Sequence, residues 1–124
     1  MNVVDSSGWL EYFARGTNTS FFKPVIKNTD ALIVPTICLY EVYKRIATQR
    51  DEEEALSAIA WMATAQVCDM NQEITILAAD LSREHKLAMA DSIIYATART
   101  FHAILWTQDA HFAGLEGVEF VEKK

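Results

Sequence analysis

Asp5, Glu41, Asp91 and Asp109 are the residues of this chain whose types and spacing could do chemistry. Asp5 closes the run Val3-Val4, and Asp109 closes Ala103-Ile104-Leu105-Trp106-Thr107-Gln108, so both end strand-like segments. Glu41, between Tyr40 and Val42, and Asp91, between Ala90 and Ser92-Ile93-Ile94, lie inside otherwise apolar helical stretches. A carboxylate beside a core-forming run is costly to dehydrate unless it is paired or holds a cation. Brought together, four such groups would make an oxygen-lined pocket for Mg²⁺ or Mn²⁺. The chemistry of such a pocket is metal-dependent phosphodiester hydrolysis.

Each acid also has a plainer reading. Asp5 and Asp109 suit helix N-caps, and Asp91 suits a cap for a helix beginning at Ser92. Glu41 could pair on the surface with Lys44 or Arg45, a contact worth only ~0.3–0.5 kcal/mol. Against this, Glu41 and Asp91 have apolar neighbours on both sides, and four such placements in one small chain are harder to dismiss than one.

Other chemistries fit less well. His85, His102 and His111 have no Ser or Cys beside them in a nucleophile-like motif, and the four glycines form no phosphate-binding loop. An acidic phosphotransfer domain of the haloacid-dehalogenase type would want a second Asp at position 7, where Ser7 stands. A receiver-type domain would want paired acids near the first strand and a strand-end lysine, and neither is evident.

The elements that must position the acids alternate along the chain. Residues 2–5 read as a short buried strand, followed by a helix over roughly 7–15 that stops near Gly16. Phe21, Phe22, Val25 and Ile26 have helical spacing, and Pro24 predicts that their helix starts near Phe22 or Lys23. Ala31–Val34 is a second strand ended by Pro35. Thr36 caps a helix to about Gln49, with Cys38, Leu39, Val42, Tyr43 and Ile46 as its apolar stripe. Glu52, Glu53 and Glu54 open the next helix, where the backbone dipole favours them. It runs to about Ala65, with Leu56, Ile59, Ala60 and Ala63 inward. Gln66–Met70 is a third strand, and Asn71 caps a helix over 72–85 carrying Ile74, Leu77, Ala78 and Leu81. A helix over about 90–101 presents Ile94, Ala98 and Phe101. Ala103–Thr107 is a fourth strand, followed by a helical turn near 109–113 and a last strand, Val118–Val121.

Helices alternating with short apolar strands predict an α/β sandwich on a mostly parallel central sheet of 4–5 short strands. In such sheets ligands collect outside the carboxyl ends of the strands, at a change in strand order. Asp5 and Asp109 should face that edge, and helices starting beside it would bring Glu41 and Asp91 to the same cleft.

Composition bounds the rest. At 124 residues, 51% apolar and 23% charged, the chain reads as one soluble globular domain, 1–124. Cys38 and Cys68 lack metal-ligand spacing and read as thiols in a reducing cytoplasm. Met1-Asn2-Val3-Val4-Asp5 does not read as a signal peptide, and no apolar run reaches the ~20 residues that span a membrane. A net charge of −6 argues against holding nucleic acid by bulk electrostatics, but bound divalent cations would reverse the sign at an acidic pocket. Lys23 with Lys27, and Lys44, Arg45 with Arg50, read as solvated helix faces. Phe21, Phe22, Trp61 and Met62 read as core, with a dimer face or a partner groove as the alternative.

Four blocks, in order and at family-like spacing, resemble the PIN domain, and within it the VapC toxins of bacterial toxin–antitoxin pairs. They are Val3-Val4-Asp5-Ser6-Ser7; Tyr40-Glu41-Val42; Leu87-Ala88-Met89-Ala90-Asp91-Ser92-Ile93-Ile94-Tyr95-Ala96-Thr97-Ala98; and Thr107-Gln108-Asp109-Ala110-His111-Phe112. The resemblance covers nearly the whole chain. It implies a PIN-like α/β/α fold and a Mg²⁺- or Mn²⁺-dependent endoribonuclease. Asp5, Asp91 and Asp109 would hold the metal, Glu41 would complete the catalytic set, and Ser6 and Thr107 would orient carboxylates or water. It also implies a homodimer inhibited by a cognate antitoxin. The alternatives are a non-catalytic scaffold that binds RNA or protein, and an RNA-processing nuclease with no antitoxin. One departure stands out: many members carry a further acid where this chain has His111, which reads as a surface residue.

Overall fold

The computed structural model describes residues 1–124. The strands are β1 (Asn2–Val4), β2 (Leu32–Pro35), β3 (Gln66–Cys68), β4 (Ile104–Thr107) and β5 (Val118–Phe120). The helices are α1 (Ser6–Phe13), α2 (Thr19–Lys27), α3 (Thr36–Gln49), α4 (Glu52–Met62), α5 (Gln72–His85) and α6 (Met89–Thr100). Short 3-10 turns cover Thr29–Ala31 and Ala110–Phe112.

All five strands are parallel, in the order β3-β2-β1-β4-β5. A central parallel strand is covered on both faces and must be apolar throughout. Val3, Val4, Leu32, Ile33, Val34 and Leu105 satisfy this and are fully buried. The chain steps outward from β1 to β2 to β3, then returns to the other side of β1 as β4. Right-handed crossovers put the outward and return helices on opposite faces, giving an α/β/α sandwich. The strand order therefore reverses between β1 and β4. Val3 pairs with Leu105 and Val4 with Trp106, and the Asp5 N–H extends the ladder by donating to the Trp106 carbonyl at 3.1 Å.

Local signals set most boundaries. Asn71 caps α5 by accepting from the Ile74 N–H at 2.8 Å, and Asp51 caps α4 by accepting from the Glu54 N–H at 2.7 Å. In α6 every residue from Ser92 to Ala98 is buried, because α3, α5, β2 and β4 all pack on it. The expected stripe of Ile94, Ala98 and Phe101 is thus only part of its buried surface.

Three expectations need correction. α2 begins at Thr19, not near Phe22, with Pro24 inside it. Burial of Phe22, Val25 and Ile26 holds this helix despite the missing N–H. α4 ends at Met62 and turns inward Ala55, Ala58 and Met62, while Leu56 is 55% exposed and Ala60 and Ala63 are also outside. Thr36 is the first residue of α3, preceded by Pro35 in the cap position, and its side chain makes no cap bond.

Phe22 and Met62 are fully buried, and Trp61 packs edge-on to Trp9 with ring centroids 6.0 Å apart. Cys38 and Cys68 are free thiols. No helix is long and apolar enough to cross a membrane.

Candidate metal centre at the carboxyl edge of the sheet

Asp5 leaves β1 at the reversal of strand order and immediately starts α1. Its Oδ1 accepts from the Gly8 N–H at 2.9 Å, so it is the helix cap that its position suggests. Gly8 makes this approach feasible: a Cβ there would lie 2.6 Å from Val4 Cγ1 and 2.7 Å from Phe22 Cε1. Ser7 Oγ donates to both Asp5 oxygens, at 2.8 and 3.0 Å. Thr107, at the end of β4, donates its hydroxyl to Asp5 Oδ2 at 2.7 Å and accepts from the Asp109 N–H at 2.9 Å. One hydroxyl therefore links the ends of the two strands flanking the reversal.

Asp109 caps the turn Ala110–Phe112, accepting from the His111 N–H at 2.9 Å. Asp91 is not a cap. α6 starts two residues earlier and Asp91 lies in its first turn, half-buried and with no protein donor on its carboxylate. Glu41 pairs with neither Lys44 nor Arg45. It accepts from Ser6 Oγ at 2.7 Å, across from α3 to α1. The plain and the chemical readings of Asp5 and Asp109 thus hold together, while those of Glu41 and Asp91 separate.

Electrostatics show the convergence. The Asp5 carboxyl is pushed up to about 6, chiefly by burial, with the Asp109 charge adding and hydrogen bonds from Thr107, Gly8 and Ser7 opposing. Asp91 is also pushed up to about 6, by burial, then by the charges of Asp109 and Glu41, with His111 opposing. Beneath them, burial pushes the Cys38 thiol up, and the charges of Asp5, Glu41 and Asp91 add to it. Carboxylates in this arrangement favour protons or a cation over their own ionised, empty state.

Asp91, Asp109 and His111 each offer a ligand atom within 4.8 Å of the others. Asp5 lies outside that tight group but joins it through Thr107 and through its charge interaction with Asp109. His111 was expected to be a surface residue. Its side chain is 78% exposed, yet its Nδ1 lies 2.9 Å from Asp109 Oδ1. The tight turn folds it back, a reach that spacing alone does not reveal. Ser7 and Gly8 were also missed as partners of Asp5; the signal was an Asp followed three residues on by a glycine at a helix start.

The model of the family described as "PIN domain" matches residues 3–118. The chain belongs to the PIN domain family. No curated protein matches it by sequence. Among solved structures, this PIN domain is similar to a toxin–antitoxin complex from Klebsiella pneumoniae, with TM-score 0.79, 23% identity and 96% of each chain covered. It is similar to Mycobacterium tuberculosis VapC20, described as a Sarcin-Ricin loop cleaving toxin, with TM-score 0.80 and 16% identity over 96% of this chain and 98% of that one. DNA-bound VapBC from Salmonella typhimurium gives TM-score 0.74 and 16% identity over 98% of each chain. At these identities the likeness is one of fold.

Proposed function

We propose that this PIN domain is a divalent-metal-dependent endoribonuclease and the toxin of a toxin–antitoxin pair. The observation that carries the nuclease reading is the meeting of Asp5, Glu41, Asp91 and Asp109 at the β1/β4 reversal, with two of them held near pH 6. Whole-length likeness to toxin–antitoxin structures supports the toxin role.

The donor set is all-oxygen apart from His111 and suits Mg²⁺ or Mn²⁺. Bound there, such an ion supplies positive charge beside the scissile phosphate and lowers the pKa of a coordinated water. Asp5, Asp91 and Asp109 would hold the ion. Thr107 fixes the orientation of Asp5 and the backbone of Asp109, and Ser6 fixes Glu41. Glu41, the less central wall, would accept a proton from water or orient it. The partners in this reading are an RNA substrate, a cognate antitoxin that covers the acid centre, and a second copy of the chain, in the cytoplasm.

Asp5→Asn keeps the cap and the shape and removes the charge. It should abolish Mn²⁺-dependent RNA cleavage while the circular dichroism spectrum stays unchanged. Undiminished cleavage by the purified Asp5→Asn protein would sink the assignment. Growth arrest on expression, relieved by co-expression of a neighbouring small gene, tests the toxin role separately.

A further inference from the structure

Gln108 is buried between Thr107, whose hydroxyl binds Asp5, and Asp109. Its side-chain oxygen accepts from Asn18 Nδ2 at 2.9 Å, and its Nε2 donates to the Ser7 carbonyl at a longer 3.4 Å. Asn18, between α1 and α2, is buried as well, and its Nδ2 also donates to the Glu122 carbonyl at 3.1 Å, just past β5. The sense of these bonds is dictated from one end. The Glu122 carbonyl can only accept, so the Asn18 nitrogen must face it. That nitrogen's second hydrogen then requires the Gln108 oxygen, which leaves the Gln108 nitrogen for the Ser7 carbonyl. Two backbone bonds brace the frame: the Asn18 N–H donates to Glu11 Oε2 at 2.7 Å, and the Val121 N–H to the Thr107 carbonyl at 3.0 Å.

A buried amide is costly unless it is hydrogen-bonded. Asn18 and Gln108 are the only buried side-chain amides of the chain. The other buried polar side chains show where that cost is borne. Ser92 and Thr97 return to carbonyls of their own helix, at Met89 and Ile93. Asp5, Ser6 and Thr107 belong to the acid centre. The two amides join that centre through Ser7, whose hydroxyl holds Asp5 and whose carbonyl receives the residue preceding Asp109.

We propose that Gln108 is a positioning residue: through Asn18 and Ser7 it fixes the Asp109 backbone against the start of α1, and so sets the spacing of Asp109 from Asp5 and Asp91 that a divalent cation requires. The inference rests on the nuclease reading above. A second tie between the same two segments runs through Thr107, so the amides set the finer part of that spacing.

The test is Mn²⁺ affinity of the RNA-free protein, read from the electron paramagnetic resonance signal of free Mn²⁺. Thermal melting and cleavage of a labelled structured RNA at saturating Mn²⁺ accompany it. Gln108→Met nearly keeps the volume and removes the amide. Partners that orient metal ligands typically carry 10–100-fold in affinity or activity, so this variant should bind Mn²⁺ about 10-fold more weakly and cleave more slowly by a similar factor. Asn18→Ala touches none of the four acids and should weaken Mn²⁺ by a smaller factor. Added to Gln108→Met it should weaken Mn²⁺ no further, because its route to Asp109 is already cut. Should Gln108→Met not fold, Asn18→Ala alone decides the matter. Asn71→Ala is the control: it removes the α5 cap beyond β3, two strands from β1, and should lower only the melting temperature.

If Gln108→Met and Asn18→Ala melt earlier but bind Mn²⁺ and cleave as wild type does, the amides only hold the C-terminal segment. The positioning assignment is then overturned and the nuclease reading stands. An equal loss of Mn²⁺ affinity in Asn71→Ala would mark general loosening and also overturn it. If wild type binds Mn²⁺ without cleaving RNA, the nuclease reading falls and the affinity ratios still decide the positioning. If wild type does neither, both are overturned.

Discussion

Asp5 and Asp91 carry the same group and are both pushed up to about 6, yet the protein holds them in opposite ways. Asp5 is 2% exposed and accepts from Gly8, Ser7 and Thr107, three donors drawn from the start of α1 and the end of β4. Asp91 is half-buried, takes no protein hydrogen bond and feels chiefly burial and the charges around it. The wall at β1 is built into the fold, while the wall at the start of α6 only faces the site. In the proposed centre Asp5 is a fixed reference point and Asp91 would be free to adjust around an ion.

Lengthening each acid by one methylene should expose that difference most strongly, because charge is kept and only geometry changes. Asp5→Glu pushes a longer side chain into a filled site and misaligns the bonds to Gly8 and Thr107. It should lose about 1–3 kcal/mol of stability and all detectable cleavage. Asp91→Glu should stay within ~0.5 kcal/mol of wild type. It should retain measurable cleavage, lowered about 10²-fold as for a displacement of roughly 1 Å. Thermal melts with cleavage rates decide it; equal losses in the two proteins would remove the distinction between the walls.

Acidity separates the walls in a second way. Because the folded-state value of Asp5, about 6, lies above its ordinary 3.8, the folded protein binds more protons than the unfolded chain between those values. Metal-free stability should therefore fall as pH rises from about 4 to about 6, by up to ~3 kcal/mol for Asp5 at ~1.4 kcal/mol per unit. Asp91 acts in the same direction but less, being partly solvated. The difference between wild type and Asp5→Asn isolates the larger contribution. Mn²⁺ should reverse the trend, stabilising most above pH 6 where protons no longer compete. A metal-free wild type that gains stability over this range relative to Asp5→Asn would contradict the buried, raised carboxyl.

The fixed wall was largely legible in the sequence and the free wall only in part. Val3-Val4-Asp5 and the run ending at Asp109 announce strand ends, and the reversal of a parallel sheet makes such ends meet. Ser6 donates to Glu41 and Thr107 to Asp5, hydrogen bonds that tertiary packing makes across 35 and 102 residues of sequence. What escaped depends on tertiary packing. In α4, Leu56 with Ile59 and Ala55 with Ala58 and Met62 both have helical spacing, and only the neighbouring α3 selects the second face. Pro24 argued for a later start to α2, but burial of Phe22, Val25 and Ile26 outweighed it.

His111 belongs to the free wall and should have the smallest effect, one of preference rather than of rate. Its imidazole stands with Asp91 and Asp109, their ligand atoms within 4.8 Å of one another. Mg²⁺ demands oxygen ligands, whereas Mn²⁺ accepts an imidazole nitrogen more readily. Replacing nitrogen by oxygen in His111→Asp should therefore tighten Mg²⁺ relative to Mn²⁺ by a few-fold. Thermal-shift titration with each ion reads this without reference to cleavage. The fixed wall gives the contrast: Thr107→Ser keeps the hydroxyl on Asp5 and should leave the Mg²⁺/Mn²⁺ ratio where it was. A ratio unmoved in His111→Asp would make the 2.9 Å approach to Asp109 a surface contact and nothing more.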